Sequence, residues 1–303
     1  MTVPALPRCA DTARVREDPA YATAPPAARL FLVEVPGPWG RTALTDSRLD
    51  RYASGRLADR ADVADVRVIL VRRPGRHAQP PSDSPRRWAL VDTRPGRERV
   101  HWGTWRHEHE LLEVDLFAPE VPPDPAGPQR LALVCTHGRH DVCCALRGRP
   151  VAFALAAAAP EWDVWECSHL GGDRFAANVL LLPSGELFGS LDPASAVEAV
   201  RAYDQGRLLL GNHRGRIGRP MVEQAALHHA AVVLGEERRG ALRVLHVGGA
   251  GDVRRVQVGA AGRRYLVTIT LGWSEPARLT CAAGHPDRVR RFDLVGLEDA
   301  GDL

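Results

Sequence analysis

The 303-residue chain contains no lysine; its 40 basic residues are all arginine. Against 37 acidic residues they leave a formal charge of +3. That is too near balance to mark a nucleic-acid surface, so the arginine bias reads as genome composition and no nucleic-acid partner is expected. No run reaches the ~18 apolar residues of a membrane span. The start, MTVPALPRCADTARVREDP, carries charges where a signal peptide needs an apolar core. A cytoplasmic location is therefore expected, in which six cysteines stay reduced. Cys-x-x-Cys is missing, which counts against a thioredoxin-type thiol oxidoreductase. A dinucleotide fingerprint is missing too: the glycines of HVGGAGD near residue 250 are wrongly spaced and mark a hairpin turn.

What is present is an ordinary globular composition, 45% hydrophobic and 25% charged, at a length suited to about two domains. Residues 1–24 read as irregular. Apolar runs predict strands over Leu30–Val35 and Val66–Val71 and in RWALVDT. HEHELLEVDLF fits a short helix or a strand equally. Five prolines and a glycine make FAPEVPPDPAGPQR a linker, placed at 117–129 between a first unit, 25–116, and a second, 130–212. The second opens with the strand LALVC and continues with a helix beginning near Pro150 and ended by Pro160. DVWEC and VLLL follow as strands, then a helix capped by Asp192 and opened by Pro193. This order predicts an α/β layer unit of thioredoxin-like size. Residues 220–303 read as a small α+β module.

The chemistry concentrates in CTHGRHDVCC (135–144) and CSHLGGD (167–173). Cys135 ends a strand, and Cys144 lies nine positions on across a loop; such a pair can converge on one metal. Cys167 and His169 end the next apolar strand, two apart and so on one side of it. Asp173 follows a Gly-Gly turn that can fold it back. Thiolate and imidazole donors suit zinc or iron-sulfur iron, although the usual zinc signature of two cysteines two to four residues apart is missing. Buried inert thiols are the plainer alternative. Vicinal Cys143 and Cys144 diverge, so only one is expected to face a site. Cys9 and Cys281 stand alone in sequence and read as non-ligands. His107 with His109, and His228 with His229, lack completing ligands nearby.

The lines CTHGRHDVCCALRGRP and CSHLGGDRFAANVLLLPSG, with VEVPGPWG and VRRPGR upstream, resemble the sucrase/ferredoxin-like family over roughly residues 28 to 200. The resemblance implies a [2Fe-2S] cluster in a thioredoxin-like domain, here the second unit; the fold expected is two thioredoxin-like units, the first without a cluster, followed by the C-terminal α+β module. Fungal members hold the cluster with two cysteines and two histidines spaced His-x-x-x-His. Cys135, Cys144 and His169 match three of these positions; Asp173 stands where the second histidine belongs. Cys167 is the preferred substitute as fourth ligand, with Asp173, Cys143 and His140 as alternatives. Around them, Gly138, Gly171 and Gly172 would admit backbone amides to the sulfurs. Asp141 would fix the loop by accepting backbone hydrogens. Arg139, Arg147, Arg149 and Arg174 would balance cluster charge or recognise an acidic partner.

The function this implies is one-electron transfer, as a carrier or as a reductase component acting on an iron-containing small molecule. No flavin or nicotinamide motif is visible, so a redox partner protein must supply the electrons. No pair of acidic residues is patterned for sucrose hydrolysis. The alternatives are a zinc-stabilised, non-catalytic interaction protein and a thiol-disulfide oxidoreductase.

Overall fold

The computed structural model describes residues 7–75, 84–124 and 126–303. Two runs of elements share one plan. In the first, strand β1 (Arg29–Glu34) is followed by helix α2 (Arg51–Val63) and strands β2 (Arg67–Arg72), β3 (Arg86–Asp92) and β4 (Arg99–Trp105). In the second, β5 (Leu131–Cys135) is followed by α4 (Val142–Ala158), β6 (Asp163–Cys167), β7 (Val179–Leu182) and β8 (Glu186–Phe188). Each run pairs its first two strands in parallel and its first, third and fourth antiparallel. The spatial orders are accordingly β4-β3-β1-β2 and β6-β5-β7-β8.

The two runs form one sheet. β2 and β6 meet antiparallel, Val71 opposite Cys167 and Arg72 opposite Glu166. With β9 (His213–Arg216) beside β8, this makes a nine-stranded mixed sheet. An Arg72–Glu166 ion pair at 2.7 Å crosses the junction. The C-terminal module is a separate antiparallel sheet in the order β10 (Leu242–Gly248), β11 (Val253–Ala260), β12 (Arg263–Trp273), β13 (Arg290–Asp302). Its core joins Val256, Val258, Val267 and Ile269 to Ala225, Ala226 and Ala230 of helix α6 (Met221–Leu234).

Strand alternation sorts the second run's side chains onto two faces. Leu131, Leu133 and Cys135 share a core with Trp165 and Cys167 of β6. Ala132 and Val134 face the other way, onto Val151, Ala152 and Leu155 of α4 and Ala196, Ala199 and Val200 of helix α5 (Pro193–Asp204). Both soft-ligand loops leave the carboxyl ends of adjacent parallel strands, where α/β sheets place their ligands.

Two expectations change and one open choice is settled. Helix α4 starts at Val142, ahead of Pro150, because Asp141 caps it by accepting the Cys143 amide at 2.8 Å. Pro150 lies inside it on the exposed side, where the missing amide leaves no buried group unpaired. The N-terminal segment is not wholly irregular: Cys9–Val15 forms helix α1. HEHELLEVDLF contributes the short helix α3 (Glu110–Glu113).

Gly148 brings α4 down onto the strand end. A Cβ there would stand 2.1 Å from the Cys135 carbonyl oxygen. Gly148→Ala is therefore expected to lose about 1–3 kcal/mol by overpacking. Gly55→Ala, in α2 with open space around it, should gain about 0.5–1 kcal/mol. Urea unfolding of both variants checks this; equal stability of the two would remove the contact from the account.

Candidate metal centre

Cys135 and Cys167 are register partners at the ends of β5 and β6, both fully buried on the same face. The Cys135 amide donates to the Asn178 carbonyl, and the Thr136 amide to that of Cys167. The chain then turns through His137 and His140 into α4, whose first turn presents Cys144 to Cys135. The two thiols lie side by side, so they titrate apart. Donation from Cys144, helped by the amides of His137 and Leu170, pulls the Cys135 thiol down against its burial. Cys144, the donor and itself buried, is pushed up. Burial and the field of Cys135 push Cys167 well up.

The second loop is shaped by Gly171 and Gly172, with φ of 92° and 72°, a region glycine enters without steric cost. Their packing is equally tight: Cβ atoms would meet Pro25 at 2.5 Å and Arg214 at 2.3 Å. The turn folds Asp173 back beneath the first loop. Cys144 Sγ lies 3.3 Å from Asp173 Oδ1, His169 Nδ1 3.0 Å from the same oxygen, and His140 Nε2 3.4 Å from Oδ2. The imidazoles of His140 and His169 have centroids 3.9 Å apart. His140, His169 and Asp173 thus form a group able to hold a metal ion. Asp173 Oδ2 and His169 Nδ1 are buried, and among the described residues neither makes a hydrogen bond of good geometry. Thiols lie inside and imidazoles outside, the two histidine side chains each keeping 32% exposure.

Burial would raise the Asp173 carboxyl, but the imidazoles of His140 and His169 close against its oxygens hold it well below the usual carboxylate range. The Asp173 carboxylate at 3.4 Å raises His140 against burial. Burial lowers His137, whose Nε2 lies 2.6 Å from the Gly40 carbonyl and so carries its proton there.

Several residues take unexpected places. The amide of Gly138 donates to the Thr136 carbonyl at 2.8 Å and does not serve the sulfurs. Asp141 caps α4. Arg174 lies over the Phe175 ring and pairs with Asp18 at 3.3 Å. Arg147 pairs with Asp11, while Arg139 and Arg149 are exposed. Cys143 turns away from Cys144 and meets Cys9 and Cys281, which are therefore not alone. Sequence reasoning also missed Arg214 on β9. Fully buried, it donates to neutral oxygens: the Gly171 and Thr23 carbonyls at 2.8 and 2.6 Å, Asn178 Oδ1 at 2.8 Å and Thr23 Oγ1 at 3.0 Å. Burial pulls it down to about 9, leaving it charged at neutral pH within the field of Asp173 and Cys135. Arg67, whose guanidinium holds the His169 carbonyl at 2.7 Å, lies in the fields of Cys167 and Cys135. Only position along the sheet brings these arginines to the loops.

A raised His140 stabilises the fold fully below the ordinary imidazole value, and that stabilisation is lost as pH rises through its folded value. In metal-free protein, unfolding free energy should fall as pH climbs above about 6.5. Asp173→Asn should flatten that slope and return the His140 ring titration, followed by NMR, toward the ordinary value. An unchanged His140 titration would separate it from Asp173.

The model of the sucrase/ferredoxin-like family matches residues 20–215, most of the chain and all of both ligand loops. No curated protein and no solved structure matches it.

Proposed function

The chain belongs to the sucrase/ferredoxin-like family, and on that premise we propose that it is a one-electron-transfer protein whose [2Fe-2S] cluster is held by Cys135, Cys144, His140 and His169. The observation that carries this is the meeting of the Cys144 thiol and an imidazole pair at one buried carboxylate, Asp173, with Cys135 beside Cys144. His140 supplies the second imidazole that the Asp173 substitution takes from the His-x-x-x-His pattern. Cys167, the register partner of Cys135, remains beside the set as a buried neighbour. A cluster bound here would take up and release one electron, at a potential raised by imidazole in place of thiolate.

The chain's own residues support such a centre. The amides of His137 and Leu170 approach the Cys135 sulfur, and hydrogen bonds to a ligating sulfur tune potential. Arg214 and Arg67 bring positive charge beside the thiolates, which buried anions require. The half-buried imidazoles form the edge through which an electron reaches a partner, and their ring protons exchange with water or with Asp173. The strand order β2-β1-β3-β4, repeated as β6-β5-β7-β8, supports a reading as two thioredoxin-like units, the first without ligands and serving as scaffold or partner surface. A cytoplasmic redox protein would supply the electron, and a protein or iron-containing small molecule would accept it.

Protein purified without oxygen should be brown, with visible absorption bands and two irons and two acid-labile sulfides per chain. His140→Ala and His169→Ala should each abolish or shift those bands, whereas Cys167→Ala should keep them. The potential should fall with rising pH as a ligand imidazole loses its outer proton; a flat potential from about pH 6 to 10 would exclude histidine ligation. Colourless, iron-free protein would overturn the reading.

A further inference from the structure

A second group of thiols lies on the other side of the α4 N-terminus. Cys143 Sγ is 3.4 Å from Cys281 Sγ and 3.8 Å from Cys9 Sγ, and Cys9 and Cys281 are 3.5 Å apart. Asp141 completes the set: its Oδ2 lies 3.4 Å from Cys9 Sγ and accepts the Cys281 amide at 2.6 Å. The four potential donor atoms all fall within 4.8 Å of one another. Cys9, Cys143 and Asp141 are buried; Cys281 is half-buried and opens a route for an ion.

We propose that Cys9, Cys143, Cys281 and Asp141 form a tetrahedral site for a single thiophilic divalent cation, zinc. The spacing decides between candidates. Thiolates held about 2.3 Å from a tetrahedral zinc stand about 3.8 Å from one another, and the three sulfurs are spaced at 3.4–3.8 Å. A disulfide would bring two sulfurs to about 2.05 Å, and all three cysteines are free. An iron-sulfur cluster distributes its cysteines over several irons, leaving no such mutual contact of three.

The donors come from three distant parts of the chain: α1, the start of α4, and the long connection 274–289 between β12 and β13. Nothing local in sequence announces them, and a three-way convergence of buried thiols is more than one packed cysteine requires. Zinc binding would exchange three S–H bonds for S–Zn bonds and release three protons to water. With three thiolates and a carboxylate the loaded site is anionic. Arg174, which feels the field of Cys9, and Arg14, which feels that of Cys143, lie close enough to offset it. The ion would fasten the N-terminal helix and the C-terminal module to the ligand loop.

Metal analysis of the full chain tests this. Protein purified without added chelator should hold one zinc per chain. Cys281→Ala, and separately Cys9→Ser, should lose it while circular dichroism shows a folded chain. Cobalt in place of zinc should give thiolate charge-transfer and tetrahedral ligand-field bands that both variants lack. Failure to take up zinc or cobalt, zinc retained in both variants, or an intact mass showing a disulfide among these cysteines would overturn the proposal. Iron and zinc are counted separately, so the two centres stand or fall independently.

Discussion

The Asp141 carboxylate is the constraint on which the rest of the ligand region depends. One oxygen takes the Cys143 amide and starts α4; the other takes the Cys281 amide and faces the Cys9 thiol. Successive residues of a helix are turned about 100° from one another. Fixing the first turn therefore fixes which way both neighbouring cysteines point: Cys144 toward Cys135 and Asp173, Cys143 toward Cys9 and Cys281. A cap one residue earlier or later would rotate both thiols off their partners. The tight seat of Gly148 on the Cys135 carbonyl sets the height of the same helix over the sheet.

The sheet supplies the other half of the geometry. Parallel pairing of β5 with β6 brings the two ligand loops side by side, and antiparallel pairing of β2 with β6 closes the flank where Cys167 sits. The junction is short, two register pairs, but it is reinforced by the Arg72–Glu166 ion pair and by the Ser168 amide donating to Leu70. The first run of strands thus packs Leu30, Leu32, Ile69 and Val71 against the thiol face and keeps water from it.

Much of this was legible in the sequence where the signal is local. LALVC and DVWEC are strands of the length their apolar runs suggest, and Asp192 with Pro193 starts α5 as its cap pattern requires. Cys135, Cys144, His169 and Asp173 stood out by residue type and by the loops that carry them. The start of α4 was misplaced because Pro150 is the louder helix signal and the Asp141 cap the quieter one. β13 went unread because RRFDLVGLEDAGD is polar and largely exposed, held by backbone pairing to β12 and not by an apolar pattern. Cys9 and Cys281 looked solitary because 272 positions separate them. Arg214 was invisible for the same reason: its partners, Thr23, Gly171 and Asn178, are gathered only by the fold.

Arg214 carries one further consequence. A lysine in that position could shed its proton on burial; a guanidinium holds its charge. The interior behind the ligand loops therefore carries a permanent positive charge bonded only to neutral oxygens. Every anion formed nearby, at Cys135 or Asp173, relieves it. Folding and ionisation at Cys135 are then linked equilibria, each making the other more favourable, and the chain gains stability as that one thiol gives up its proton.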